Sequence, residues 1–254
     1  MDNLTSMENK VTNGNRVAQT AVITGAAGAI GGAIARMLVA DGWNVVGLDL
    51  QSGEHESVHW LTVDVTKSEE IIAAASTLDR CDLLINAAGF GDRAPAEEMT
   101  PFQWDRVVDV CLTGTFYTCR SFHPLLSGSG GVIVNIASAA ATNPLVMHAN
   151  YCAAKAGVVA LTEVLALEWA VDQIRVFAVS PGFVSTPRLK QGLASAPHRK
   201  TGLEARTPMG RLAEIDEIAK AIIALASPDF AYLTGTNVII DGGFSTDGGS
   251  SGLF

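Results

Sequence analysis

Two apolar patterns alternate along the chain. Short, nearly continuous apolar runs read as seven strands: "TAVITG", "NVVGLDL", "VHWLTVDV" ending at Asp64, "CDLLINAAG", "GGVIVNIAS", "IRVFAVSPG" and "GTNVIIDGG". Between them, "GAIARMLVADG", "SEEIIAAASTL", "PFQWDRVVDVCLTGTFYTCRSFHPLL", "NYCAAKAGVVALTEVLALEWA" and "EIDEIAKAIIALAS" read as helices, the first closing at Gly42. A strand that is apolar along its whole length is buried on both faces, and strands that alternate with helices run parallel. The pattern predicts an α/β fold in which a doubly wound, seven-stranded parallel sheet carries helices on both faces. No internal repeat or linker divides it, so one domain is expected over residues 17–254, behind a flexible polar tail of residues 1–16. The connection from Asp49 to Val58 is too short for a full crossover helix and predicts only a turn or a single helical turn. Residues 183–210 predict a long irregular stretch.

The two long middle helices are more apolar than one sheet face can cover. Residues 158–167 alone include Val158, Val159, Leu161, Val164, Leu165 and Leu167. Exposed apolar patches of that size are rare on monomers, so an oligomer interface is expected there.

Composition and charge narrow the partners. Of 254 residues, 48% are hydrophobic and 17% charged, enough for a sizeable core and against disorder. The net charge is −9 and the basic residues are scattered, which speaks against nucleic acid and against an anionic membrane surface. Four cysteines, Cys81, Cys111, Cys119 and Cys152, form neither a C-x-x-C pair nor a zinc spacing with histidine. No metal site is expected, and free thiols fit a reducing, cytoplasmic compartment. The N-terminal residues lack the apolar core of a secretory signal. The apolar residues 21–40 contain Thr24, four glycines and Arg36, and read as strand, turn and helix rather than a membrane span.

The chemistry begins at "TGAAGAIG", residues 24–31, between a strand and a helix. Glycines there let the backbone approach a pyrophosphate, and the helix start offers amide donors. The second strand ends at Asp49, 18 residues after Gly31, near the separation at which an acidic residue takes the adenosine ribose hydroxyls. A carboxylate there repels a 2′-phosphate, and no Arg or Lys lies in the loop or just after Asp49, so NAD is favoured over NADP. Farther along, Tyr151 and Lys155 share one helix face at i, i+4, where an ammonium stabilises a phenolate. Ser138 ends the fifth strand, at the sheet edge where open α/β folds bind ligands.

In this order, "TGAAGAIG", Asp64, Asn86-Ala87-Ala88-Gly89, Ser138 with Tyr151 and Lys155, Pro181-Gly182 with Thr186, and "YLTGTNVIIDGG" resemble the short-chain dehydrogenases/reductases over about residues 17–245. The resemblance implies a Rossmann fold and an oxidoreductase. It gives Gly25, the Ala29-Ile30 turn and Gly31 to the pyrophosphate, Asp49 and Leu50 to the ribose end, and Asp64 with Val65 to the adenine edge. Asn86, Ala87, Ala88 and Gly89 would line the cofactor and steady the central strands. Pro181, Gly182, Val184 and Thr186 would pack near the nicotinamide carboxamide. Tyr151 would be the general acid or base, Ser138 would orient the substrate oxygen, and Lys155 would hold the nicotinamide ribose and tune Tyr151. Residues 184–210 would form a substrate lid. The resemblance also implies a homotetramer, or a homodimer, through the helices near 102–127 and 150–170.

One position departs from the family. Cys111 stands three residues before Gly114, where an asparagine in N-x-x-G is usual and its carbonyl, at a helix irregularity, holds a relay water. A thiol is a poor hydrogen-bonding substitute, although the backbone carbonyl remains. Other residues stay open at this level. His148 and Asn150 face either substrate or solvent, Cys152 packs, Trp104 and Phe116 fill core or interface, and Met209 either fills a gap or touches substrate. The expected activity is hydride transfer between NAD and a secondary alcohol or ketone, with oxidation favoured by an oxidised NAD pool. The alternatives are a 3-oxoacyl carrier-protein reductase, a cyclic dihydrodiol dehydrogenase, and an NAD-binding protein that has lost turnover.

Overall fold

The computed structural model describes residues 18–195 and 197–246. The tail expected over residues 1–16 lies outside them. Seven parallel strands form one sheet in the order β3-β2-β1-β4-β5-β6-β7. They are β1 (Thr20–Thr24), β2 (Asn44–Asp49), β3 (Val58–Thr62), β4 (Leu83–Asn86), β5 (Val132–Ile136), β6 (Arg175–Pro181) and β7 (Asn237–Ile240). The order reverses between β1 and β4, so the chain's crossovers diverge there and leave a crevice at the strand C-termini.

Helices α1 (Ala29–Ala40) and α8 (Ile215–Ala226) cover one face. On the other lie α2 (Ser68–Ser76), α4 (Gly114–Ser127) and α5 (Ala149–Trp169), with α3 (Pro101–Val108) leading into α4. Each face has its own apolar core, centred on residues such as Ile23, Ile85 and Phe177 on one side and Val22, Leu84 and Phe122 on the other. This division follows from strands whose alternate side chains are both apolar. A polar thread crosses the second layer. Asn86 Nδ2 donates to Asn135 Oδ1 at 2.8 Å, and Asn135 Nδ2 donates to Thr162 Oγ1 at 2.9 Å, tying β4, β5 and α5. At the far end, Arg175 donates to the carbonyls of Ala226 and Ser227 at the end of α8, at 2.8 and 3.2 Å.

The Asp49–Val58 connection is the turn its length predicts, with Trp60 Nε1 donating to the His55 carbonyl at 3.2 Å. Three expectations need correction. β3 ends at Thr62, two residues before Asp64, because Asp64 Oδ1 accepts from Thr66 N and Oγ1 at 2.9 and 2.8 Å and turns the chain. Residues 183–210 are not irregular: α6 (Pro187–Ala194) and α7 (Pro197–Ala205) fold there. Thr186 caps α6, accepting from Leu189 N at 3.2 Å with Pro187 at the first helical position, a start signal outweighed in the sequence by Pro, Gly and polar content. The helix read continuously across 101–126 is broken by a π-turn at Asp109–Thr113, in which Gly114 N donates to the Asp109 carbonyl. A Cβ at Gly114 would stand 2.9 Å from Val65 Cγ2, so the turn seats a bare backbone against the start of the α2 layer.

Candidate active site

The residues expected to hold a dinucleotide converge on the crevice at the C-terminal ends of β1, β2 and β4. Gly25 has φ +65°, and a Cβ there would lie 2.7 Å from Ala88 Cα, so only glycine allows this contact between the ends of β1 and β4. A Cβ at Gly31 would stand 2.3 Å from the Gly25 carbonyl oxygen. Ala29 and Ile30 form the first helical turn of α1 rather than a turn before it. Gly28 at the N-cap brings no side-chain cap, so the amides of that first turn remain open for an anion. Asp49 Oδ2 accepts from Ala27 N at 3.0 Å and Oδ1 from Leu50 N at 2.8 Å, which holds the carboxylate at the lip of the glycine turn. Leu50 beside it is 65% exposed, an apolar surface next to the acid. Ala87 N donates to the Thr24 carbonyl and Ala88 N to Thr24 Oγ1, both at 3.2 Å.

Two members of the expected set turn away from the crevice. The Asn86 side chain is buried in the polar thread of the core, and Val65 is buried against Gly114. Asn86 steadies the central strands, and whatever Val65 offers the crevice is backbone.

A cavity of about 260 Å³ continues the crevice past β5 and β6. Ile30, Ser138, Tyr151, Pro181, Gly182, Val184 and Thr186 line it, so the outer end of the nucleotide crevice and the proposed chemistry share one space. Ser138 follows β5, and its Oγ accepts from Ala140 N at 3.1 Å, which fixes the oxygen and leaves the hydroxyl proton free to donate. Tyr151 lies in the first turn of α5. One turn on, Lys155 is 4% exposed, lies 5.8 Å from the Tyr151 ring centre and donates to the Ile136 carbonyl at the end of β5. A buried ammonium requires such a partner.

Cys111 lies behind this pair. Its thiol is fully buried, its Sγ is 3.5 Å from the Phe90 carbonyl, and its own carbonyl accepts from Thr115 Oγ1 at 2.9 Å. A Cβ on Gly89 would sit 3.2 Å from Cys111 Sγ and 3.4 Å from Lys155 Nζ. The helix irregularity implied by the family resemblance is therefore present, and the thiol backs the Gly89-Phe90 backbone. Burial pushes the Cys119 thiol up to about 12 and raises the Cys81 thiol as well, which favours the protonated form of both.

Several open residues are now placed. Asn150 is fully buried: its Nδ2 donates to the Gln103 carbonyl at 2.8 Å and its Oδ1 accepts from Tyr151 N at 2.7 Å, so it anchors the start of α5 to α3 rather than facing substrate. His148 Nδ1 lies 2.9 Å from the Val146 carbonyl, with its ring centre 6.4 Å from that of Tyr151. Cys152 accepts from Leu145 N at 3.4 Å and packs the preceding loop. Trp104 and Phe116 are exposed, together with Phe102 and Leu167, so they do not fill the core. Met209 is also exposed and lines a smaller neighbouring cavity.

Sequence reasoning missed Leu145, Phe183 and Phe244 on the far wall of the main cavity, which Leu189, inside the stretch 184–210 expected to form a lid, completes. From the same stretch it did not single out Arg188, which reaches from α6 across to the Gly91 carbonyl at 3.0 Å. Pro187 after Thr186 was a legible helix signal; nothing in the pattern brings Phe244 to the site.

Residues 25–245 match the family model described as Enoyl-(Acyl carrier protein) reductase. The chain belongs to the short-chain dehydrogenase/reductase family. Within it, the D-threitol dehydrogenase of Mycolicibacterium smegmatis is 37% identical over 243 residues, covering 89% of this chain and 93% of that protein. The NAD-dependent glycerol dehydrogenase of Listeria innocua is 33% identical over 240 residues, covering 89% and 94%. The ligand-free aldohexose dehydrogenase of Thermoplasma acidophilum shares the fold with a TM-score of 0.85 and 28% identity, over 90% of this chain and 94% of that one. This short-chain dehydrogenase/reductase is thus an oxidoreductase of the kind that acts on alcohol groups, in a family that uses nicotinamide cofactors. Among its described residues, no helix is long and apolar enough to cross a membrane, and no cluster of three or more His, Cys, Asp or Glu could hold a metal ion.

Proposed function

We propose that the protein oxidises a secondary alcohol to a ketone with NAD, and runs the reverse reduction when the ratios favour it. The observation that carries this reading is the shared cavity. Ser138 and Tyr151 line the same space as Ile30, Pro181, Gly182 and Val184, at the end of a crevice whose glycine cradle a single Cβ would fill. The residues fit a dinucleotide: open amides at the start of α1, the Asp49 carboxylate at the lip, and no Arg or Lys in the glycine loop or just after Asp49 to balance a 2′-phosphate. When bound, the nicotinamide supplies the acceptor or donor of the hydride.

The chain's own residues handle the proton and the geometry. Ser138 donates its free hydroxyl proton to the substrate oxygen and fixes its position. Tyr151, as the phenolate, removes the hydroxyl proton while the carbinol hydrogen leaves as hydride; as the phenol it returns that proton in reduction. Lys155 supplies a positive charge one helical turn from Tyr151, 5.8 Å from its ring centre. Its tether to the Ile136 carbonyl sets that charge in place. Exposed Phe102, Trp104, Phe116 and Leu167 support an assembly of two or four copies through α3, α4 and α5.

The test is steady-state NADH formation from a panel of secondary alcohols, with Tyr151→Phe as control. Turnover that survives Tyr151→Phe, or tight NAD binding with no turnover of any alcohol or ketone, overturns the proposal.

A further inference from the structure

The far wall of the active-site cavity is uniformly apolar, and its construction is specific. At the end of β7, Asp241 Oδ1 accepts from Gly243 N at 2.9 Å and Oδ2 from Ser245 N at 2.7 Å. Gly243 has φ +90°, a conformation few other residues adopt without strain. This carboxylate-gripped turn folds the chain back so that Phe244, 4% exposed, enters the cavity. Its ring meets Phe183 edge-on, with ring centres 4.9 Å apart. Arg206 lies 4.8 Å from the Phe244 ring centre and is not a lining residue. Leu189 of α6 and Leu145 complete the wall.

Polar groups are few. Apart from Ser138 and Tyr151, the only polar side chain lining the cavity among the described residues is Thr186, whose oxygen accepts from Leu189 N and whose hydroxyl proton stays free. Among the described residues no charged side chain lines it. Arg188 of α6 donates to the Gly91 carbonyl. A second substrate hydroxyl, or a carboxylate, would therefore find no side-chain partner among the described residues beyond the single Thr186 proton, and would lose water for little in return.

We infer that this site selects an uncharged secondary alcohol with a compact apolar body, such as a cycloaliphatic ring, and that Phe244 is a specificity-determining residue for it. The inference rests on the oxidation reading above and adds the substrate class. It sets this chain apart from relatives named for threitol and glycerol, whose substrates are hydroxylated at every carbon. Each unpartnered hydroxyl should cost about tenfold or more in kcat/KM, within the roughly 100-fold that an apolar pocket imposes on an added hydroxyl.

The experiment compares kcat/KM with NAD for cyclohexanol, 4-hydroxycyclohexanecarboxylate, threitol and glycerol, in the wild type and in Phe244→Ser and Phe244→Leu. Cyclohexanol is expected to exceed both the polyols and the carboxylate by about 10- to 100-fold. Phe244→Ser should raise KM for cyclohexanol and narrow that ratio, and Phe244→Leu should restore most of it. A second readout is binding: cyclohexanone, but not dihydroxyacetone, should raise the melting temperature of the NAD-loaded protein. Threitol, glycerol or the carboxylate turned over as well as cyclohexanol overturns the inference and leaves the oxidation reading standing. An unchanged ratio in Phe244→Ser removes Phe244 from specificity. Failure to form NADH from any alcohol overturns the oxidation reading and this inference with it.

Discussion

Lys155 donates its ammonium to the carbonyl of Ile136, two residues before Ser138 on the same sheet edge. The contact binds α5 to β5 at the point where both present their chemistry. It also explains how a lysine can be almost wholly buried: the charge keeps one strong acceptor and a tyrosine ring nearby. Lys155→Met should lower kcat by roughly 10²–10⁴-fold, since the charge that supports Tyr151 is lost. It should also cost about 1–3 kcal/mol of stability by leaving the Ile136 carbonyl unpaired. Thermal unfolding beside single-turnover kinetics separates the two effects; a kcat within threefold of wild type removes Lys155 from the proton chemistry.

Cys111 should behave differently. Its carbonyl belongs to the backbone of the π-turn, and its thiol makes only a weak contact with Phe90. Cys111→Ala is expected to hold kcat within about threefold with an unchanged pH profile, and to cost about 1 kcal/mol for the small void it leaves. A kcat loss beyond about 30-fold, or a shifted pH limb, would put the thiol itself on the proton path.

In the proposed reading Asp49 takes the ribose hydroxyls. Asp49→Ser removes a carboxylate that repels a 2′-phosphate, and should raise the NADP-to-NAD ratio of kcat/KM by at least about tenfold, a modest share of the Coulomb energy between two close charges. The ratio measured at constant ionic strength is the check; no change would give the discrimination to other groups.

Arg188 spans the cleft from α6 to the loop at Gly91. It is exposed, so Arg188→Ala should leave stability within about 0.5 kcal/mol. Losing the strap should raise KM several-fold, while kcat holds or rises where product release is limiting. An unaltered KM would show that the Arg188 contact plays no part in holding substrate.

Glu217 supplies a pH test away from the chemistry. Two short contacts with Arg211, and the Glu214 amide, lower its acid group from the ordinary 4.5 to about 2. Because the folded form holds its proton less tightly than the unfolded chain, its contribution is present above pH 4.5 and is lost as pH falls toward 2. Glu217→Gln should therefore reduce stability at neutral pH and flatten the acid limb of a stability profile between those values. A parallel profile would show no linkage at this site.

The sequence by itself determined a good deal. Apolar strands separated by helices admit one layered parallel sheet, and the length of the Asp49–Val58 connection leaves no room for a full crossover helix. Local spacing also placed Tyr151 and Lys155 on one helix face, because a helix repeats every 3.6 residues wherever it is packed. Other features were decided only by tertiary structure. The π-turn under Cys111 leaves no trace in an apolar period, since it answers to the close seat of Gly114 on Val65. Helices α6 and α7 hid behind a composition that suits loops. Asn150 faces α3 and Phe244 enters the cavity because of partners far along the chain, Gln103 in one case and Phe183 in the other. Hydrophobic periodicity carries only local information; which side chains meet at the end of the sheet depends on contacts between segments that periodicity does not record.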